Sequence, residues 1–169
     1  MNESETRAEL IDPALAAAGW GTVEDSRIRR EQITDGRIQI GGRRGKKLIA
    51  DYVLVYRGRK LAVVEPKSDE LEAAEGVGQA KEYAKRLDCD TTYATNGKTI
   101  YQICMKTGAE GTVDRYPTPE ELWNKTFSEA NDWRDKFNSQ PMDNNGGQWK
   151  PRYYQENAIN NALEAIAQG

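Results

Sequence analysis

The 169-residue chain is predicted to be an α/β domain in which helices flank a mixed β-sheet. Three observations predict it. A helix-periodic segment opens the chain, two strand-like apolar runs then follow within hairpin distance, and a further helix separates them from a second hairpin.

In the segment from Ser4 to Ala18, Leu10, Ile11, Ala14, Leu15 and Ala18 recur at three- and four-residue spacing, with Ser4 as the expected N-cap. Gly19 stops this helix, and Trp20 turns back toward the core. Arg27 to Ile33 and Arg37 to Ile40 read as short strands around the turn dipeptide Asp35-Gly36. Gly41 to Lys47 is a basic loop. Leu48 to Tyr56 and Lys60 to Val64 are the strongest strands, and Arg57-Gly58 between them calls for a tight antiparallel hairpin. Ser68 to Leu87 has helical periodicity, but Gly76 and Gly78 weaken its middle, so the well-formed part starts near Val77. Thr91 to Thr95 and Thr99 to Met105 form the second hairpin about Asn96-Gly97. Pro117, Pro119, Glu120 and Glu121 open another helix, and Ala130 to Phe137 forms a short one. Gln140 to Gln148 is linker-like, and Pro151 to Ala167 starts a new amphipathic helix. The expected division is therefore a domain over 1–139, a linker over 140–150 and the start of a second unit over 151–169.

Composition excludes several chemistries. The chain has no histidine, which removes Ser-His-Asp and Cys-His catalysis, histidine zinc sites and a histidine general base. Chemistry must come from carboxylates, lysines, amides or hydroxyls. Cys89 and Cys104 have no motif spacing, so neither a disulfide framework nor a cysteine zinc site is expected. No apolar run approaches the ~18 residues of a membrane helix, and no signal-peptide core opens the chain. A cytoplasmic protein without membrane partners is expected.

The net charge of -3 is unevenly spread. Residues 1–26 sum to -5, residues 27–60 to +8 and residues 61–169 to -6. The basic stretch contains Arg27, Arg29, Arg30, Arg37, Arg43, Arg44, Lys46 and Lys47. Two readings stand: a phosphate-backbone contact surface, or a solvated loop.

Asp51, Glu65 and Lys67 stand out on the central hairpin. Asp51 interrupts one apolar run and Glu65 ends the other. A carboxylate at the end of a buried strand is costly unless it is paired or coordinated. Glu65 and Lys67, two apart, leave the same face of an extended chain. A hairpin turning near Arg57-Gly58 brings Asp51 alongside Glu65. Two carboxylates with a backbone carbonyl would suit Mg²⁺, with an ammonium beside them to act on a water or a phosphoryl group. A pair of strand-end carboxylates held by lysine salt bridges is the other reading.

Asp51 followed by Glu65-Pro66-Lys67 resembles the PD-(D/E)xK nuclease core, and Gln79-Ala80-Lys81-Glu82-Tyr83 resembles the QxxxY motif of one branch of that superfamily. At spacing i, i+4, Gln79 and Tyr83 share a helix face. The wider order of motifs is similar to the N-terminal nuclease domain of type I restriction endonuclease subunits over almost all of residues 3–127. It runs through Glu5-Thr6-Arg7, Ala18-Gly19-Trp20, Thr34-Asp35-Gly36-Arg37, Ala94-Thr95-Asn96-Gly97 and Pro117-Thr118-Pro119-Glu120-Glu121-Leu122-Trp123. Pro151-Arg152-Tyr153-Tyr154-Gln155 resembles the Q-motif of superfamily 2 helicase motors. No GxxxxGK[ST] loop follows, so a fragment of a longer subunit is expected, cut soon after that motif.

The resemblance implies a restriction-endonuclease-like core and Mg²⁺-dependent, sequence-nonspecific cleavage of double-stranded DNA. Asp51, Glu65 and the Pro66 carbonyl would bind metal, with Glu9 and Glu31 as further carboxylate candidates. Lys67 would act on the attacking water, and Gln79 and Tyr83 would orient the lysine or the substrate. Arg29, Arg30, Arg37, Arg43, Arg44, Lys46 and Lys47 become a DNA path. Methyltransferase and specificity subunits are the implied partners, and ATP is implied for the longer subunit only, with Gln155 reading adenine. Pro66 departs from the small residue often found between the catalytic Glu and Lys, removing a sheet N–H but keeping the carbonyl. The alternative function is a catalytically inactive module of the same fold that binds DNA or docks subunits. A free-standing resolvase-type nuclease is disfavoured by the Q-motif. For Gln155 the alternative is a docking helix with an apolar stripe of Tyr153, Tyr154, Ile159 and Leu163.

Overall fold

The computed structural model describes residues 1–34, 47–139 and 151–169. Asp35-Gly36, the strand expected over 37–40 and the linker lie outside the described residues. Six strands form one sheet in sequential order: β1 (Ser26–Thr34), β2 (Leu48–Tyr56), β3 (Arg59–Pro66), β4 (Thr91–Thr95), β5 (Ile100–Cys104) and β6 (Glu110–Val113). Every neighbouring pair is antiparallel except β3 and β4. A parallel pair needs a crossover. Here it is a 3₁₀ turn over Ala73–Gly76 running into a helix over Val77–Leu87. The expected α/β class with a mixed, helix-flanked sheet is the one observed.

The first helix, α1, is continuous but irregular: α-helical over Glu3–Thr6, π-helical over Arg7–Ile11 and α-helical again over Asp12–Ala17. Asn2, not Ser4, is its N-cap and forms a reciprocal capping box with Glu5. Gly19 ends it at φ 98°, a left-handed conformation suited to glycine. The Trp20 indole N–H then donates to the Pro117 carbonyl at 2.8 Å with its ring buried. The crossover helix is α2 (Val77–Leu87), and α3 (Pro119–Thr126), α4 (Asp132–Ser139) and α5 (Tyr153–Gln168) follow.

The sheet has a core on each side. One joins Ile11, Leu15 and Trp20 to Tyr52, Leu54, Val64, Tyr93, Leu122 and Trp123. The other packs Val53, Val55 and Val63 against Tyr83, Ala84 and Leu87 of α2. β3 sits between them with Leu61 to Pro66 buried throughout, so its sequence reads as an unbroken apolar run until Glu65. Sequence periodicity did not reveal β6. It is a four-residue edge strand, Glu-Gly-Thr-Val, that buries no residue fully.

Helix α5 docks by charge more than by apolar contact. Glu156, on its first turns, is buried and accepts from Arg29 at 3.0 Å, with the Lys60 ammonium 3.5 Å away. Lys60 also donates to the Asn157 side chain. Farther along, Glu164 takes a bidentate guanidinium from Arg134, and Asn161 donates to Asp88 at 2.7 Å. Of the expected apolar stripe, Tyr153 packs against the core beside α2 and Leu163 is half-buried, while Tyr154 and Ile159 stay exposed.

Removing Glu156 leaves the Lys60 ammonium, whose side chain is 4% exposed, without its counter-charge. Glu156→Ala is expected to lower stability by about 3 kcal/mol in urea denaturation. The double variant with Lys60→Met should recover much of the loss, because no uncompensated buried charge remains.

Candidate active site

Asp51, Glu65 and Lys67 lie where β2 and β3 part. The β2–β3 register runs from Tyr56↔Arg59 to Tyr52↔Val64, and one more step sets Asp51 opposite Glu65. The Lys67 N–H donates to the Thr95 carbonyl of β4 at 2.8 Å, so the alternating backbone directs the nitrogen of residue 66 toward β2. Proline has no hydrogen to offer there, and the recorded pairing with β2 stops short of it. Pro66 itself is buried and paired in register with Thr95.

Glu65 is 2% exposed. Its Oε1 accepts from Lys67 Nζ at 2.9 Å, and its Oε2 is buried with no hydrogen-bond partner among the described residues. Burial pushes the carboxyl up to about 7, opposed by the Lys67 ammonium and reinforced by the charge of Asp51. Burial also raises Asp51, opposed mainly by the Arg7 guanidinium, whose Nη1 donates to Asp51 Oδ1 at 2.8 Å. The two carboxylates thus share a poorly hydrated corner.

Helix α2 completes the corner. Gln79 Oε1 accepts from Lys67 Nζ at 2.8 Å, and Gln79 Nε2 donates to the Tyr83 hydroxyl at 3.3 Å. The i, i+4 pair thereby acts through Lys67, as one face of the helix requires. Gly76, at the start of α2, has its own role. A Cβ there would stand 3.4 Å from Glu65 Cγ and from Lys67 Cε, and 3.3 Å from Ala94 Cβ. Sequence reading treated this glycine only as a helix weakener; in the fold it lets α2 come down onto the ends of β3 and β4.

Other sequence-nominated residues sit differently. Glu9 is exposed on the π-helical turn of α1, while Glu3 is one of the lesser charges acting on both Asp51 and Glu65. Glu31, at φ 52°, is exposed, with Arg7 Nη2 4.0 Å away, and it acts on Asp51. Arg29 is taken by Glu156. Arg30 donates to Asp12 at 3.0 Å and lies over the Tyr52 ring. Lys47 is exposed, and Arg37, Arg43, Arg44 and Lys46 lie outside the described residues. Gln155 uses its side-chain oxygen to accept from the Arg152 N–H at the start of α5. Among the described residues no group of three or more His, Cys, Asp or Glu is placed to hold a metal ion. No helix among them is long and apolar enough to cross a membrane.

Folding raises Glu65 from 4.5 to about 7, so across that interval the folded chain binds more protons than the unfolded one. Its contribution to stability is complete below pH 4.5 and is lost as pH rises toward 7. In chelator, stability measured by denaturant titration should fall over this window by up to about 3 kcal/mol, and Glu65→Gln should flatten the fall.

No family model matches the chain. Along its whole length it is similar to the type I restriction enzyme EcoAI endonuclease subunit of Escherichia coli. The identity is 34% over 188 aligned residues, which take in 100% of this chain and 22% of that protein. It is likewise similar to a solved fragment described as an HsdR subunit of a type I restriction enzyme from Vibrio vulnificus YJ016. There the identity is 35% and the TM-score 0.84, over 100% of this chain and 33% of that one. The chain therefore spans less than two thirds of either relative, and its mixed, helix-flanked sheet superposes on the second at a TM-score of 0.84.

Proposed function

We propose that this chain is the DNA-cleaving domain of the restriction subunit of a type I restriction–modification system, hydrolysing phosphodiester bonds in double-stranded DNA with Mg²⁺. The observation that carries the reading is Glu65. It is a fully buried carboxylate with one oxygen on Lys67 and the other without a partner among the described residues, beside a second carboxylate with a raised pKa. Perturbed carboxylates converging with a lysine at a strand end are what a functional site requires and a packing role does not.

The donor set fits a hard divalent cation, because Asp51, Glu65 and the Pro66 carbonyl offer only oxygen. When bound, such a cation supplies Lewis-acid stabilisation of charge on the phosphate. Lys67 holds three N–H donors, and Glu65 and Gln79 take two of them. One remains for the attacking water or a phosphate oxygen. Gln79 fixes the direction of the ammonium, and Tyr83 anchors the Gln79 amide.

In the longer protein of which this chain would be part, ATP-driven translocation brings DNA to the site. Methyltransferase and specificity subunits then determine when cutting occurs, and Gln155 contacts adenine in the motor. Arg37, Arg43, Arg44 and Lys46, which lie outside the described residues, and the exposed Lys47 would contact the DNA backbone. Arg29 and Arg30 join them only by exchanging Glu156 and Asp12 for phosphate.

Lys67→Ala in the complete enzyme should reduce cleavage by about 10²-fold or more with thermal stability nearly unchanged. Asp51→Asn and Glu65→Gln should each abolish cleavage and weaken Mn²⁺ binding measured by calorimetry. Robust cleavage by the Lys67 variant, or unchanged metal affinity in both carboxylate variants, overturns the reading.

A further inference from the structure

Arg7 is the one cation that reaches Asp51 by hydrogen bond among the described residues, and the fold goes to some length to put it there. It lies in the π-helical stretch Arg7–Ile11, where the Asp12 N–H donates back to the Arg7 carbonyl across five residues. Such widened turns are frequent at functional sites. The turn presents two groups to β2. Arg7 grips Asp51, and Asp12 accepts from the Tyr52 hydroxyl at 2.8 Å and from Arg30. The guanidinium carbons of Arg7 and Arg30 stand 5.5 and 5.1 Å from the Tyr52 ring centroid, so both cations rest on the same aromatic residue. Opposite, Glu31 takes a left-handed backbone conformation unusual for a glutamate and comes within 4.0 Å of Arg7.

These contacts give Arg7 two ways to be held. Asp51 supplies one, at 2.8 Å. The Tyr52 ring and the more distant Glu31 supply the other, and neither depends on Asp51. A guanidinium and a divalent cation compete for the same carboxylate charge, because each lowers the affinity of Asp51 for the other. We infer that Arg7 is an exchangeable stand-in at Asp51: it neutralises the carboxylate in the metal-free chain, yields it to the divalent cation, and then offers its donors to a DNA phosphate. Arg7 is thus a positioning residue toward the metal and a phosphate contact afterward. The inference rests on the metal-site reading of Asp51 and Glu65.

The test is Mn²⁺ titration of the 169-residue chain, followed by DNA binding in Ca²⁺. Arg7→Gln should bind Mn²⁺ about 3- to 10-fold more tightly than the parent, since a competing positive charge is gone. Arg7→Lys, which keeps the charge, should stay near the parent value. In Ca²⁺ the Gln variant should bind a short duplex several-fold more weakly. A residue that merely shaped Asp51 would give unchanged or weaker Mn²⁺ binding on substitution, and that result overturns the inference. If Arg7→Gln does not fold, a parent-like Mn²⁺ affinity in a folded Arg7→Met variant overturns it equally. Asp51→Asn separates the two readings. If it leaves Mn²⁺ affinity at the parent value, the metal site itself is wrong; if it weakens binding while Arg7→Gln does not tighten it, only the exchange fails.

Discussion

A carboxylate buried at the end of β3 constrains everything near it. Glu65 is wrapped by sheet and helix, one oxygen satisfied by Lys67 and the other by none of the described residues. A lone buried carboxylate costs several kcal/mol unless it is protonated, paired or coordinated. The surroundings reflect that demand. Lys67 directly follows the same strand, Gln79 aims Lys67, Gly76 leaves room for both, and the β2–β3 ladder ends short of Pro66 beside Asp51. Each of these features is awkward taken alone. Together they keep an anionic corner dry, with one acceptor unspent.

How much of this was legible in sequence depends on distance along the chain. Glu65 and Lys67 are two residues apart on a strand, and Gln79 and Tyr83 four apart on a helix, so local periodicity alone placed each pair correctly. Asp51 joined them through one short hairpin whose turn dipeptide was visible. Arg7 could not be found that way, because its contact with Asp51 spans 44 positions and depends on how α1 folds back across β2. The π turn was likewise invisible to local periodicity, since one extra residue in the turn rotates the following positions by about 100° relative to the preceding ones. Glu9, a candidate through the resemblance, is exposed on that turn. Gly76 marks the helix start at Val77 as its helix-weakening character predicts, whereas what a Cβ there would strike is tertiary information.

The basic stretch shows how charge counting and structure diverge. An excess of arginine over residues 27–60 suggested a phosphate surface, yet two of the three arginines of β1 are paired to carboxylates of the fold. Arg29 neutralises Glu156, and Arg30 serves Asp12 and Tyr52. Exposed ion pairs of this kind contribute little to stability, typically about 0–1 kcal/mol, so exchanging a carboxylate for a phosphate costs little. Arg30, nearly half exposed, is free to make that exchange; Arg29 is less so, because Glu156 is buried and shared with Lys60.

That sharing links the two ends of the molecule. Lys60 and Glu65 stand on the same strand, five residues apart, and the whole of β3 between them is buried. Lys60 receives α5 through Glu156 and Asn157, while Glu65 receives Lys67 and faces α2. A strand fixed on both faces by packing and on both edges by β2 and β4 transmits displacement along its axis with little give. A displacement of α5 would therefore be felt first by a buried ion pair and next by the register that sets Asp51 against Glu65. Elsewhere on the sheet a slip of one residue would merely move side chains between faces; here it would also exchange the carboxylate at position 65 for its neighbour, Val64 or Pro66. The polar seating of α5 is suited to that arrangement, because charge pairs release and re-form more readily than an interdigitated apolar seam, while a buried Glu156 keeps the seated position well defined.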